Sequence, residues 1–249
     1  MSHKIELKEG AVIIADAHYS HLRPELLPFI KDIASKKIAT PQLILMGDIF
    51  DALFGSIEYT YEQNEEMMQL IDSLSEEIEV VFLEGNHDFN LKKVFKNVTV
   101  LRLKEQPLIT TFHNYQVALA HGDFDAPFGY QLYSSIIRNP VILNLLNVLD
   151  RKIDDKIIKK IDNYLTKKED CNHFEGFKSY IAGRNLHEFA CNYFIEGHYH
   201  QNRGFEFENY NYINLGAFAC NQRYFIVKSS KDKELLIEEN SYKGELNNG

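Results

Sequence analysis

Cysteine is scarce in this chain: Cys171, Cys191 and Cys220 are the only three, widely spaced and odd in number. They match neither a disulfide framework nor a thiolate zinc site, and predict a reducing, cytoplasmic setting. Long apolar runs are missing too. No uninterrupted stretch approaches the ~20 residues that span a bilayer. The first ten residues, Met1 to Gly10, carry charges but no apolar core of a signal peptide, so export is not expected. Positive charge is in deficit, with a net charge of −9. That balance excludes a general nucleic-acid binder, which needs excess Lys/Arg to neutralise phosphates. Internal repeats and low-complexity tracts are also absent.

What is present is a soluble, core-forming composition, with 45% hydrophobic and 25% charged residues over 249 positions. Short runs rich in Val, Ile and Leu, at Ala11–Ala15, Gln42–Met46 and Glu79–Leu83, read as strands of a sheet covered on both faces. Pro24–Ser35 and Tyr59–Ser75 read as covering helices, and Tyr115–Ala120 as a further strand. From Tyr193 onward, turn residues separate five short strand-like segments: Tyr193–Glu196, Arg203–Glu208, Tyr212–Leu215, Tyr224–Val227 and Leu235–Glu238. The block 124–190 differs. Ile153, Ile157, Ile161 and Leu165 recur every four residues, as in an amphipathic helix, and Val141–Leu149 is very apolar. Residues Pro127 to Ala190 hold ten Lys/Arg, Lys168 among them, against eight Asp/Glu, while the rest is strongly acidic. This block reads as a helical insertion, leaving 1–123 and 191–249 as the core.

Each strand of the first half, and Tyr193–Glu196 after it, ends in residue types that ligate metals. The series is Asp16-Ala17-His18, Gly47-Asp48-Ile49-Phe50-Asp51, Gly85-Asn86-His87-Asp88, His121-Gly122-Asp123 and Gly197-His198-Tyr199-His200. In an open α/β sheet the ligand site lies beyond the carboxyl ends of the strands, so five segments converge. Side chains alternate along a strand, so Asp-x-His and His-x-His each present two groups on one side. Carboxylates, an amide and imidazoles suit Mn, Fe or Zn better than Ca. The remaining histidines, His3, His21, His113, His173 and His187, sit in no motif and are expected on the surface or in packing roles. Asp51 and Asp123 are expected to support ligands rather than to be ligands.

The five motifs, in this order, resemble the signature of the calcineurin-like metallophosphoesterases over Ala11 to about Leu215. The resemblance implies an α/β fold, a two-sheet sandwich flanked by helices. It implies two divalent metal ions, manganese in the first instance: Asp16, His18, Asp48 and His200 at the first, and Asp48, Asn86, His121 and His198 at the second. Two such ions activate a water and neutralise phosphate oxygens. His87 is then placed to act on the phosphate or leaving group. Asp88 is expected to orient His87. A non-catalytic binding scaffold of this fold would lack several ligands, and this chain lacks none.

The opening of the insertion, Gly129-Tyr130-Gln131-Leu132 through Ile137-Arg138-Asn139-Pro140, resembles the lid of the UDP-2,3-diacylglucosamine pyrophosphohydrolases of lipid A synthesis. That likeness implies Asn86, Tyr130 and Arg138 as substrate-binding residues, a diacylated UDP-sugar as substrate, and contact with the cytoplasmic face of a membrane. Those enzymes typically read Gly-Asn-Arg-Asp where this chain reads Gly-Asn-His-Asp, so His87 follows the broader superfamily. The alternative substrates are a nucleotide, a cyclic nucleotide or a phosphoprotein.

Overall fold

The computed structural model of the chain describes residues 5–167, 171–231 and 234–242. His3, Lys168, and the ends of the expected core segments at 1–4, 232–233 and 243–249 lie outside the described residues. The first half runs β1 (Val12–Ile14), α1 (Leu26–Ala34), β2 (Gln42–Leu45), β3 (Leu53–Phe54), α2 (Glu58–Leu74), β4 (Glu79–Leu83), β5 (Asp88–Phe89), β6 (Thr99–Leu101), β7 (Leu108–Phe112) and β8 (Tyr115–Ala120). Four helices follow: α3 (Phe128–Ile137), α4 (Pro140–Arg151), α5 (Lys156–Leu165) and α6 (Phe177–Ala182). The chain closes with β9 (Tyr193–Glu196), β10 (Arg203–Glu206), β11 (Asn211–Asn214), α7 (Phe218–Asn221), β12 (Arg223–Ser229) and β13 (Leu235–Ser241).

Two mixed sheets result, in the orders β13-β12-β1-β2-β4-β6 and β10-β11-β9-β8-β7. Strand alternation explains their stacking. Val12 and Ile14, Leu43 and Leu45, and Val80 and Phe82 face α1 and α2, where Phe29, Ile33, Met67 and Ile71 meet them. The intervening Ile13, Ile44 and Val81 face the second sheet and pack against Val117, Leu119 and Ile195. The second sheet turns Ala118, Ala120, Phe194 and Tyr212 to Phe177 and Ile181 of α6. The result is helix, sheet, sheet, helix in four layers. Each fully buried Val, Leu, Ile or Phe contributes about 1.5–3 kcal/mol, so these interlayer contacts dominate stability. This is the expected two-sheet sandwich flanked by helices, with a helical insertion between β8 and β9.

The insertion departs from expectation in two ways. The helix read from Ile153 begins only at Lys156, because Asp154 and Asp155 adopt φ of 58° and 59° and break it from α4. Asp150 of α4 then accepts from the backbone N–H groups of Ile157 and Ile158, both at 2.8 Å, and caps the new start. Secondly, the apolar stripe faces outward. Leu143 and Ile158 dock on Ile57 and Phe89, but Val141, Leu145, Leu146, Leu149, Ile157 and Ile161 are exposed, Leu145 to 60%.

The cysteine reading is corrected. Cys171 and Cys220 form a disulfide with Cα atoms 5.7 Å apart, and only Cys191 is free and buried. The partners are 49 residues apart in sequence, and the residues after Cys171 are also tied to the loop after His200. There Phe174 N–H donates to Gln201 Oε1 at 2.7 Å, and Gln201 Nε2 to the carbonyl of Asn172 at 2.9 Å. The cysteines therefore give no argument for a reducing compartment.

Candidate dinuclear metal centre

All five motifs leave the carboxyl ends of β1, β2, β4, β8 and β9 and meet at one end of the sandwich. The turns are sharp. Asp16, His18, Asp48, His198 and His200 all have positive φ, between 46° and 63°. Left-handed backbone at non-glycine residues costs of order 1–3 kcal/mol each and gathers at functional sites. Here the surrounding hydrogen bonds hold it: His18 N–H to Asp48 O at 2.9 Å, and His198 N–H to the Asp16 carboxylate at 2.9 Å.

Three groups of potential donors form among the described residues; two consist of expected ligands, and the third, His18, Asp51 and His87, shares His18 with the first of them. Asp16, His18 and His200 place one ligand atom each within 4.8 Å of one another, and so do Asp48, His121 and His198. His200 Nε2 lies 3.1 Å from Asp16 Oδ1, and His121 Nε2 lies 3.6 Å from Asp48 Oδ2. Asn86 Oδ1 joins the second group at 3.3 Å from His121 Nε2. Rings of the two groups are close as well, with His18 and His200 centroids 5.5 Å apart and His121 and His198 4.9 Å apart. All seven expected ligands are brought together.

Electrostatics bind the groups into one centre. Burial pushes the Asp48 carboxyl upward, but His121, His87, His18 and His198 outweigh it and hold it well below the usual range. Its carboxylate is therefore felt by imidazoles of both groups. Asp16 is likewise held low against its burial, chiefly by His200. Burial and the neighbouring His121 push His198 down to about 4, leaving its lone pair free. His121 is raised to about 9: burial opposes the charge, but Asp48 and Asp123 prevail.

Outer contacts fix the rings. His121 Nδ1 donates to the carbonyl of Met46 at 3.0 Å, which turns Nε2 to the centre. Asp51 Oδ1 stands 3.2 Å from His18 Nδ1, and Asp51, His18 and His87 are themselves close enough to share a cation. His18 nonetheless makes no hydrogen bond through either buried ring nitrogen. A buried imidazole with no hydrogen bond, beside a carboxylate and a second imidazole, is a donor set that a cation satisfies. The residues fit two divalent ions.

Asp88 departs from its expected part. Its carboxylate accepts four backbone N–H groups, from Asp48, Ile49, Phe50 and Gly85, and ties the second motif to the third. The ring of His87 is oriented instead by the carbonyl of Asp51, which accepts from Nδ1 at 2.9 Å. Nothing in residue type signals a backbone carbonyl in that role. His87 sits beside His18, with centroids 4.9 Å apart. Tyr130 is partly buried, and its hydroxyl is pushed up by that burial and by the charge of Asp123. Arg138 donates from Nη2 to the carbonyl of Gly85 at 2.8 Å and to Asp123 at 3.3 Å, so it anchors the insertion on two motif loops. Its Nε and Nη1 are buried and make no hydrogen bond.

A family profile described as calcineurin-like phosphoesterase matches residues 11–202, most of the chain. The chain belongs to that family. Its fold and paired donor groups support a metal-dependent hydrolase of phosphoesters. It is similar to the UDP-2,3-diacylglucosamine hydrolase of Pseudomonas fluorescens, with 24% identity covering 76% of this chain and 78% of that one. It is also similar to the enzyme of the same name from Haemophilus influenzae, with 25% identity covering 84% of this chain and 90% of that one. Among solved structures, Vacuolar Protein Sorting 29 from Cryptosporidium parvum aligns over 94% of this chain and 98% of its own, at 13% identity and a TM-score of 0.40.

Proposed function

We propose that this phosphoesterase hydrolyses the pyrophosphate of a UDP-2,3-diacylglucosamine, giving UMP and 2,3-diacylglucosamine 1-phosphate. Asp16, His18, Asp48 and His200 hold one divalent ion and Asp48, Asn86, His121 and His198 the other, with Asp48 shared and manganese as the metal. Bound ions of this kind activate water and offset phosphate charge. The chain's own residues supply the rest. His87, with Nδ1 committed to the Asp51 carbonyl, presents Nε2 to the phosphate and passes a proton to the departing oxygen. Tyr130 and Arg138 contact the substrate from the side of the insertion.

The observation that carries the substrate reading is the exposed apolar face of α3, α4 and α5. It includes Phe128 at 80% exposure, Leu132, Leu145, Leu146 and Leu149. Arg138 anchors this same insertion to the Gly85 and Asp123 loops beside the donor groups. A small phosphoester needs no such surface, whereas acyl chains do, at about 0.8 kcal/mol for each buried methylene. With that substrate the enzyme works at the cytoplasmic face of a membrane. Among the described residues no helix is long and apolar enough to cross one. The test is turnover by the manganese-loaded protein of a UDP-diacylglucosamine beside a panel of nucleotides, cyclic nucleotides and a phosphopeptide. Release of UMP only from the acylated sugar is expected. Turnover of the nucleotides alone would replace this reading with a nucleotide phosphodiesterase, the alternative favoured by His87 in place of arginine.

A further inference from the structure

The end of the insertion and the loops that carry His121 and His198 meet at one guanidinium. Arg184 lies two residues past α6, and its side chain is only 7% exposed. Nε and Nη2 donate to the two carboxylate oxygens of Asp125, each at 2.8 Å. Nη1 and Nη2 also donate to the carboxylate of Glu196, Nη2 at 3.1 Å. Phe124 and Tyr199 cover the guanidinium, each ring centroid 5.6 Å from its carbon. Asp125 comes four residues after His121, and Glu196 two before His198.

Glu196 is fully buried and also accepts from the Tyr212 hydroxyl at 2.5 Å. Its carboxylate sits under the contact between the two ligand loops. A Cβ placed on Gly122 would lie 2.8 Å from His198 Cβ and 3.6 Å from Glu196 Oε2. Asn214 Nδ2 completes the support by donating to the carbonyls of Glu196 and Gly197, at 3.0 and 2.6 Å.

Buried ion networks are seldom needed for stability, since apolar replacements of equal volume often fold as well. An arginine fork gripping a carboxylate through two bonds does fix geometry. We propose that Arg184 is a positioning residue for the second metal site, linking order in the last part of the insertion to occupancy of that site. The proposal rests on the two-ion reading above. Linkage of this kind is reciprocal: what the folded segment gives to metal affinity, the metal gives back to the segment.

The test compares the full chain with Arg184→Met, Glu196→Gln and the double variant by calorimetric titration with Mn(II), thermal melting, and the spin-coupled resonance of paired Mn(II). Arg184→Met alone strands a buried carboxylate and lowers the melting temperature. In the double variant that charge is gone and the melting temperature recovers. The expected result there is one ion bound as in the parent, the second weakened at least tenfold, and the coupled signal lost. A recovered melting temperature with parental affinity for both ions overturns the proposal, leaving Arg184 a structural residue only. A parent that binds one ion overturns the two-ion reading and this proposal with it, a different outcome in the same titration. Should the double variant not fold, Arg184→Lys, which keeps charge and loses the fork, decides on the same criteria. Amide exchange over 177–182 should slow when the second equivalent of Mn(II) binds, and unchanged exchange would refute the linkage.

Discussion

Replacing Gly47 with alanine puts the geometry of the second donor group to a direct test. A Cβ there would stand 2.5 Å from His121 Nδ1, 2.7 Å from Cγ and 2.9 Å from Cβ, where ordinary contact begins at 3.4 Å. The ring must therefore retreat by about 0.9 Å, several times the ~0.2 Å within which ligand distances are held in metal sites. The retreat also breaks the His121 bond to the Met46 carbonyl that turns Nε2 inward. Gly47 has φ of +83°, so a side chain adds backbone strain of about 1–2 kcal/mol. Forced repacking adds about 1–3 kcal/mol more. Gly10→Ala is the control: its φ is +77°, but its nearest neighbour, Pro41 Cδ, is 3.6 Å away. It should bear the strain without the collision. Metal content after exhaustive dialysis, with a denaturant melt of each variant, separates the effects. Gly47→Ala should keep the ion held by Asp16, His18 and His200 and lose the one held through His121. Two ions retained in Gly47→Ala, with stability equal to Gly10→Ala, would refute the placement of His121.

Asp48→Ala should remove both ions and all activity, since one carboxylate is felt by both groups; two equivalents still bound by elemental analysis would exclude a shared ligand. His87→Ala should keep both ions while kcat drops by roughly 10²–10⁴-fold, as for other proton-transfer groups; steady-state kinetics with an unchanged kcat would make His87 structural. In the metal-free protein His121 is raised to about 9, so it carries a proton at neutral pH that an ion must displace. Metal uptake should therefore release a proton between pH 7 and 8, and affinity should rise with pH until about 9. Calorimetry in buffers of different ionisation enthalpy reads this release directly. The same shift gives the metal-free protein stability that is full below the ordinary histidine value and lost as pH rises through about 9. Leu145→Glu and Leu146→Glu lie on an exposed face, so they should alter stability by no more than about 0.5 kcal/mol. They should raise KM steeply for a diacylated UDP-sugar and leave hydrolysis of a small activated phosphodiester intact.

The donor groups were legible because each metal-ligand type stands at the end of a recognisable apolar strand. Strand alternation and the carboxyl-end rule then place them together without tertiary detail. The short edge strand β6 was not legible, since three residues carry too little pattern. β7 has only Thr110 and Phe112 buried, so its Leu-Ile-Thr-Thr-Phe gives no clean alternation. Periodicity revealed a helix in the stretch from Ile153 but could not say which side is covered; Ile157 and Ile161 face outward. Arg184 looked like one more surface cation of a basic block. Its burial depends on Glu196 and Asp125, brought to it by two segments distant from it in sequence.

The Cys171–Cys220 bond makes a covalent ring of this part of the chain. Arg184, Glu196, His198 and His200 all lie inside it, as do the three strands β9, β10 and β11. For a loop of this length, restriction of the unfolded chain alone contributes about 4 kcal/mol. A single proteolytic cut anywhere within the ring leaves both new ends attached through sulfur. The two imidazoles contributed by the fifth motif therefore stay with the rest of the centre even in a nicked molecule. Reduction removes that protection and turns one cut into the loss of a fragment.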